Sequence, residues 1–348
     1  MMNVRIATML AAVVPIAALG FLGSEVSVPY VALQPGPTYN TLGKVEIKKD
    51  VEKPVVDIEG AVVDPNPPGN LNMTTVSVRS KLSIFEALAY WLDGSSGVVP
   101  RSEVYPPGQS KDQIDKSNQA EFKKSENSAE LAAARYLGYS IQVSVGEVAT
   151  DGPSAGKLEQ GDKIVEIAGQ TIDSSHAATE IIGSHKPGST LPLTVKRNGV
   201  DTKVEVVVGK RPDDKTRGYL GIGLSEDADV PFTITFNLAD IGGPSAGLMF
   251  TLAVIDKLTP GPLNDGKFIA GTGTIDSVGT VGPIGGIRYK MEAAKDAGAQ
   301  YFLVPAENCK EANATAPDGL KLVKVTRLAD AVDSLKSLSS GGKNLPAC

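Results

Sequence analysis

At 348 residues the chain is longer than one typical domain, so two or three compact units are expected. With 41% apolar and 21% charged residues it can bury real cores, which excludes wholesale disorder. A net charge of −6 without a basic run argues against a sequence-independent grip on nucleic acid, while two cysteines and two histidines exclude a disulfide-dense scaffold or a four-cysteine zinc site and leave little for a metalloenzyme or a Ser-His-Asp hydrolase.

No charge lies between Arg5 and Glu25, and Ile6–Leu22 is almost wholly apolar. That length suits a membrane span or a secretory signal, since about 20 residues cross the hydrocarbon core. Ala18-Leu19-Gly20 is a poor cleavage site inside the apolar stretch. An uncleaved signal anchor over residues 1–24 is therefore the favoured reading, with a cleaved signal peptide as the alternative. Arg5 at the short inner end puts the bulk of the chain outside the cytoplasm. The two cysteines fit that side of the membrane. Cys348 is the last residue and Cys309 follows a predicted strand, so a bridge would staple the tail at 339–348 to the last domain. The alternative is two unpaired thiols.

Beyond the anchor, 25–136 reads as a strand-rich extracytoplasmic region. Val26–Leu33 and Val45–Ile58 are predicted strands, parted by the turn Gln34-Pro35-Gly36-Pro37, and Leu71–Val78 is another. Ser83 to Glu86 is a capping box opening a helix through Trp91, whose indole reads as packing in a core or an interface. Tyr105–Lys124 is polar and reads as a surface excursion or linker near 105–124, before an Ala-rich helix ending at Leu137-Gly138.

From Tyr139 to Lys210 the pattern changes to short strands, a helix at Ser174–Ile182, and a hairpin about Asn198-Gly199. This order, with the string SAGKLEQGDKIVEIAGQTI, resembles a bacterial PDZ domain over residues 137–212. The resemblance implies a module that takes an extended peptide as an added strand and holds its terminal carboxylate on backbone N–H groups. Two segments are candidates for the carboxylate loop. One is Leu137-Gly138-Tyr139-Ser140; the other, for a permuted strand order, is Tyr219-Leu220-Gly221-Ile222, for which a strand entering the next domain is the favoured reading.

The pentapeptide Gly-Pro-Ser-Ala-Gly occurs at 152–156 and again at 243–247. Ser154 lies in a polar turn of the PDZ-like string. Ser245 follows an apolar strand, Phe232–Leu238, and precedes the apolar run Leu248–Ile255. That puts Ser245 at the amino end of a buried helix, where the dipole and free N–H groups stabilise an anion. Gly242, Gly243 and Gly247 allow close backbone approach. A serine nucleophile needs a base, and neither His176 nor His185 follows it in the chain. A desolvated lysine is the remaining option, and Lys290 sits early in a predicted helix behind Gly285-Gly286. Lys295, five residues on, has turned off that face. The competing reading of Ser245 is a helix N-cap without chemistry.

The paired motifs GGPSAG and PIGGIRYK resemble the proteolytic domain of Lon proteases, over roughly Tyr219–Leu338. With the anchor and the PDZ-like module, the whole chain resembles membrane-anchored, PDZ-containing Lon-like proteases of bacteria. The resemblance implies a Ser-Lys dyad of Ser245 and Lys290, a supporting hydroxyl on Thr272, and an oligomeric ring. The N–H groups of Ser245 and Ala246 are the candidate oxyanion donors. Many full Lon proteases carry an aspartate where this chain has Gly242; Asp240 lies two residues earlier.

The string Gly261–Lys267 fits the first part of a nucleotide-binding loop, but Phe268 follows in place of a hydroxyl residue and opens a predicted strand. No cofactor or metal is expected, and the enzyme should not need ATP. The expected fold is α+β: a membrane helix, a strand-rich part, a PDZ-like domain and a mixed α/β protease domain at 217–338. The expected function is a tethered serine endopeptidase acting on protein or peptide substrates that the PDZ-like module recruits or gates, some of them presented to it by their C-termini. The alternative is a proteolytically silent peptide-binding scaffold or adaptor of the cell envelope.

Overall fold

The computed structural model describes residues 26–348 apart from 65–66, 95, 239–240, 340–341 and 343–344, and of the first 25 residues only 13, 20–21 and 23–24. The anchor expected over residues 1–24 therefore falls largely outside the described residues, as does Asp240. Among the described residues no helix is long and apolar enough to cross a membrane.

Strands β1 (Ser27–Val28), β2 (Tyr30–Asn40), β3 (Asn70–Arg79) and β4 (Leu82–Ser83) lead to helix α1 (Ile84–Asp93) and strand β5 (Gly97–Pro100). Helix α2 (Lys111–Tyr136) follows. Next come β6 (Ile141–Val148), β7 (Lys163–Ile167), α3 (Ser175–Ser184), β8 (Thr190–Arg197), β9 (Val200–Val207) and β10 (Ile222–Ala228). The remainder holds α4 (Gly247–Leu258), β11 (Phe268–Gly271), α5 (Ile287–Asp296), β12 (Tyr301–Pro305), β13 (Lys321–Val325) and α6 (Leu328–Ser339).

The amino-terminal strands are not a separate region. A six-stranded sheet runs in the order β13-β12-β11-β3-β2-β5, so β2, β3 and β5 complete the sheet of the carboxy-terminal domain. The register pairs Phe268 with Asn70 and Gly271 with Met73 in parallel. The physical reason lies in β3, whose residues Leu71–Thr74 are all buried and so need a strand on each side. The expected strand around Phe232–Leu238 is Thr233–Phe236, and it pairs with Val56–Glu59, another amino-terminal segment. The sheet and α4 share one core, in which Phe122 of α2 meets Phe250 of α4 edge-on at 5.7 Å.

The polar stretch read as a linker is the first half of α2. Ser110 and Gln113 form a capping box at its start. Only Ile114 and Phe122 of its first 14 residues are buried hydrophobics, so no apolar period announced it. The box expected at Ser83 and Glu86 is present, the Ser83 hydroxyl accepting from the Glu86 N–H and the Glu86 carboxylate from the Ser83 N–H.

The PDZ-like sheet has the order β9-β8-β7-β6-β10 and its own core. Strand β10 pairs with β6 from Ile222 with Val148 to Ala228 with Ile141, so this body runs on to residue 228 and not to 212, and the protease part does not begin at 217. The permuted order is the one present: Tyr219-Leu220-Gly221 leads into the edge strand β10. Gly221, at φ +70°, packs so closely on Gly152 that a Cβ there would meet it at 2.9 Å. Leu137-Gly138-Tyr139-Ser140 instead ends α2, with the Tyr139 ring set edge-on to Phe232 at 5.5 Å.

Asp162 holds this sheet to its turn. Its carboxylate accepts from Arg197 Nε and Nη2 at 2.8 and 2.6 Å and from the Glu159 N–H at 2.9 Å. Those Arg197 hydrogen bonds, more than any other influence, keep its pKa below the ordinary 3.8. The stabilisation is present above that ordinary value and disappears as pH falls through the lowered one. Asp162→Ala should cost about 2–3 kcal/mol in urea unfolding, since it removes the buried carboxylate and leaves Arg197 only Glu159 and the Lys157 carbonyl. An unchanged midpoint would remove Asp162 from the account of this sheet.

Cys309 and Cys348 are joined in a disulfide with Cα atoms 5.0 Å apart, and the Lys324 N–H donates to the Pro346 carbonyl, so the tail lies along the edge strand β13. The string Gly261–Lys267 folds as a turn running into strand β11, whereas a phosphate-binding loop opens a helix.

Candidate active site

The turn Gly242–Ala246 enters α4, a helix buried from Gly247 through Lys257. Gly243 adopts φ +86°, which L side chains rarely tolerate. Helix α2 grips this turn twice: the Gly243 N–H donates to the Asn118 carbonyl at 2.9 Å, and the Ser125 hydroxyl to the Pro244 carbonyl at 3.0 Å. A Cβ on Gly247 would come within 2.9 Å of Ser125 Oγ and of Ile275 Cγ2, so glycine is required where the two helices cross. The residue capping α4 is Ala246, without any side-chain cap. Ser245 stands one residue earlier and is not the N-cap; within the first turn the Leu248 N–H donates to the Gly273 carbonyl at 3.1 Å.

Helix α5 starts behind Gly286, at φ +69°, and carries Lys290 inward. Lys290 Nζ lies 2.8 Å from Ser245 Oγ, 3.0 Å from the Thr74 carbonyl of β3 and 3.1 Å from Thr272 Oγ1. Thr272 follows β11 and is fully buried; its hydroxyl donates to the Ser245 carbonyl at 3.1 Å. Lys290 is only 4% exposed, and burial pushes its pKa from the ordinary 10.5 down to about 7.

Three oxygens surround Nζ, so an ammonium donates to all three, the Ser245 hydroxyl included; the neutral amine that burial favours makes the same contacts with one direction reversed. The neutral form has two N–H donors and one lone pair. The donors are taken by the Thr74 carbonyl and by Thr272 Oγ1, which spends its own proton on the Ser245 carbonyl. The lone pair is left for the Ser245 O–H. A serine hydroxyl in that position can be deprotonated as it attacks.

Ser245, Ala246 and Lys290 line a cleft of about 690 Å³. Tyr39, Met73, Phe122 and Ile241 give it an apolar part, and Thr75, Val76 and Ser77 of β3 form one wall. Strand β11 covers β3 only as far as Met73, and among the described residues no strand pairs with the edge beyond it on the cleft side.

All five site residues of the sequence reading, Ser245, Lys290, Thr272, Gly243 and Ala246, meet here. Ser154 does not: it is fully buried in the PDZ-like body, its Oγ without a partner. His176 and His185 lie on and just after α3, and Lys295 points towards Gly319. Sequence reasoning missed Thr74, Tyr39, Met73 and Phe122. For Met73 and Thr74 the one signal was the strand-like LNMTTVSV stretch, which says nothing about its neighbours; Tyr39 and Phe122 lie outside it and carried none.

Residues 239–337 match the Lon protease (S16) C-terminal proteolytic domain, and residues 111–208 match the PDZ domain. Lon protease 2 of Bacillus subtilis is 27% identical over 205 residues, covering 57% of this chain and 34% of that protein. Lon protease of Rhizobium meliloti is 36% identical over 94 residues, 26% of this chain and 11% of that one. A probable periplasmic serine endoprotease, DegP-like, of Halomonas elongata is 42% identical over 72 residues, 20% of this chain and 15% of its own length. Among solved structures, the PDZ domain of an SdrC-like protein from Listeria monocytogenes is 29% identical, with 24% of this chain and 85% of that one covered, at a TM-score of 0.22. The chain spans 34% or less of the length of these three curated relatives. It carries a serine-peptidase domain of the Lon type together with a PDZ domain.

Proposed function

We propose that the chain is a membrane-tethered serine endopeptidase that works without ATP, with Ser245 as nucleophile and Lys290 as general base. The observation that carries this reading is a buried lysine amine 2.8 Å from a serine hydroxyl at a cleft. The extended substrate adds to the free edge of β3. Thr74 directs its carbonyl to Lys290, so two residues on, Val76 turns its N–H and C=O to the same side. The apolar part of the cleft receives one substrate side chain.

Ser245 Oγ attacks the scissile carbonyl carbon as its proton passes to Lys290 Nζ. The oxyanion is held by N–H groups of Ser245 and Ala246 at the uncapped start of α4. Lys290 returns the proton to the leaving amine, and the acyl-enzyme remains. Water then attacks the ester carbonyl, gives a proton to Lys290, and the proton goes back to Ser245 Oγ as the carboxylate product departs.

The edge strand β10 and the Tyr219-Leu220-Gly221 turn receive the C-terminal segment of substrates, delivering them to the protease. The Cys309–Cys348 disulfide supports a location outside the cytoplasm, where such bonds persist. The uncharged stretch Ile6–Leu22 supports the tether.

The test is cleavage of an unfolded protein by the full chain without nucleotide, beside Ser245→Ala. Cleavage lost in the variant is the expected result; cleavage that persists there, or that needs ATP, overturns the reading. Thr272→Val keeps the shape but removes a buried acceptor for Nζ and a donor to Ser245. It should lower kcat roughly 10- to 100-fold with KM little changed. An unaltered kcat would leave Thr272 with packing alone.

A further inference from the structure

Helix α1 is inside out for a protein surrounded by water. Its polar side faces the body, where Arg79 at the end of β3 donates to Tyr90 Oη at 2.9 Å and to the Glu86 carboxylate at 2.6 Å. Its apolar side faces outward: Ile84, Phe85, Leu88, Trp91 and Leu92 are 44% to 70% exposed, and no residue of the helix is buried. At 100° per residue these five fall within about 120° of arc, the stripe that an ordinary amphipathic helix turns to its core. A contiguous apolar patch of this kind marks a surface that meets something.

Its place in the fold says what. Helix α1 grows out of β4, which pairs with β1, the first strand after the uncharged stretch Ile6–Leu22. The Phe85 ring reaches back to Gly23, so close that a Cβ there would stand 2.5 Å from it. The outward face thus adjoins the point where the apolar segment ends, with Val26 and Tyr30 exposed beside it. Residues 79–103 carry three basic and three acidic side chains, so the patch offers apolar area and no net charge. Tryptophan and phenylalanine on such a face suit the headgroup boundary, where amphipathic helices lie in the plane of the bilayer.

We infer that α1 lies in the membrane interface, its Phe85, Leu88, Trp91 and Leu92 side sunk among lipid chains beside the amino-terminal tether. The inference rests on the tether proposed above. It gives the protease a fixed height. On β3, Ser77 at the cleft and Arg79 under α1 are two residues, about 7 Å, apart, so with a helix about 10 Å across the cleft opens within roughly 17 Å of the lipid. Substrates are then polypeptide segments close to the membrane surface.

Trp91 is the only tryptophan of the chain, so its emission reports on this helix alone. The full chain is reconstituted into phosphatidylcholine vesicles with and without brominated acyl chains, and vesicle flotation is followed in parallel. The expected result is blue-shifted Trp91 emission, quenched at least about twofold by the brominated lipid and unaltered by added phosphatidylglycerol. The double variant Leu88→Glu, Leu92→Glu should still float, should still cleave an unfolded soluble protein, and should lose the quenching. A chain that floats with Trp91 unquenched overturns the inference and leaves the tether standing. An unquenched blue shift that grows with protein concentration means that a second copy covers the face, which overturns it too. A chain that does not float overturns the tether and the inference with it.

Discussion

Ser245→Ala should lower the rate of peptide cleavage by about 10⁴-fold or more, whereas Ser154→Ala should leave it within about twofold. The contrast is severe because both serines stand in the same pentapeptide. Ser245 lies at the cleft, 2.8 Å from an amine whose other two hydrogen bonds are already assigned. Removing its hydroxyl removes the bond-forming atom, and no other group can replace it. Ser154 is fully buried with an unpartnered Oγ, so no substrate carbonyl reaches it. Its replacement by alanine removes an unsatisfied buried hydroxyl and should leave stability unchanged or slightly higher. Cleavage of an unfolded protein by the two variants, with thermal unfolding as the control for folding, measures both halves. Equal loss in the two would mean that the pentapeptide, and not its position at a helix start, carries the chemistry.

The meeting of Ser245 and Lys290 is legible because each sits in a contiguous string whose local structure follows from its own residues. Gly243 and the apolar run after Ser245 specify a tight turn and a buried helix; Gly286 specifies the start of α5. The Thr74 carbonyl was not legible, since it reaches Lys290 across 216 residues of sequence. Strand β3 declares itself buried on both faces but does not name its neighbours, so the amino-terminal strands looked like a region of their own. The permuted strand β10 was ambiguous for the same reason, being separated from its partner by most of the PDZ-like body. Helix α1 shows a different limit. Apolar spacing says that a helix has an apolar face; it does not say whether that face turns towards protein, as Trp91 was read, or away from it.

The pH profile should carry the signature of Lys290. Its pKa of about 7 reflects burial, which penalises the ammonium. The base must be neutral, so kcat/KM should rise tenfold per pH unit below about 7 and level off above it. Lys290→Arg should be inactive at every pH, because a guanidinium does not deprotonate in this range. Stability follows from the same shift with a definite sign. The folded chain gives up this proton near 7 and the unfolded chain near 10.5, so between those values the unfolded state binds more protons and stability rises with pH. The penalty is fully developed below about 7, on the order of 4 kcal/mol before the hydrogen bonds of the amine offset it, and it fades towards 10.5. Lys290→Met should therefore unfold at a higher temperature than the parent at pH 7, and the gap should close as the pH approaches 10. An activity plateau extending down to pH 5, or a gap that does not change with pH, would mean that the lysine keeps its proton and that the base is another group.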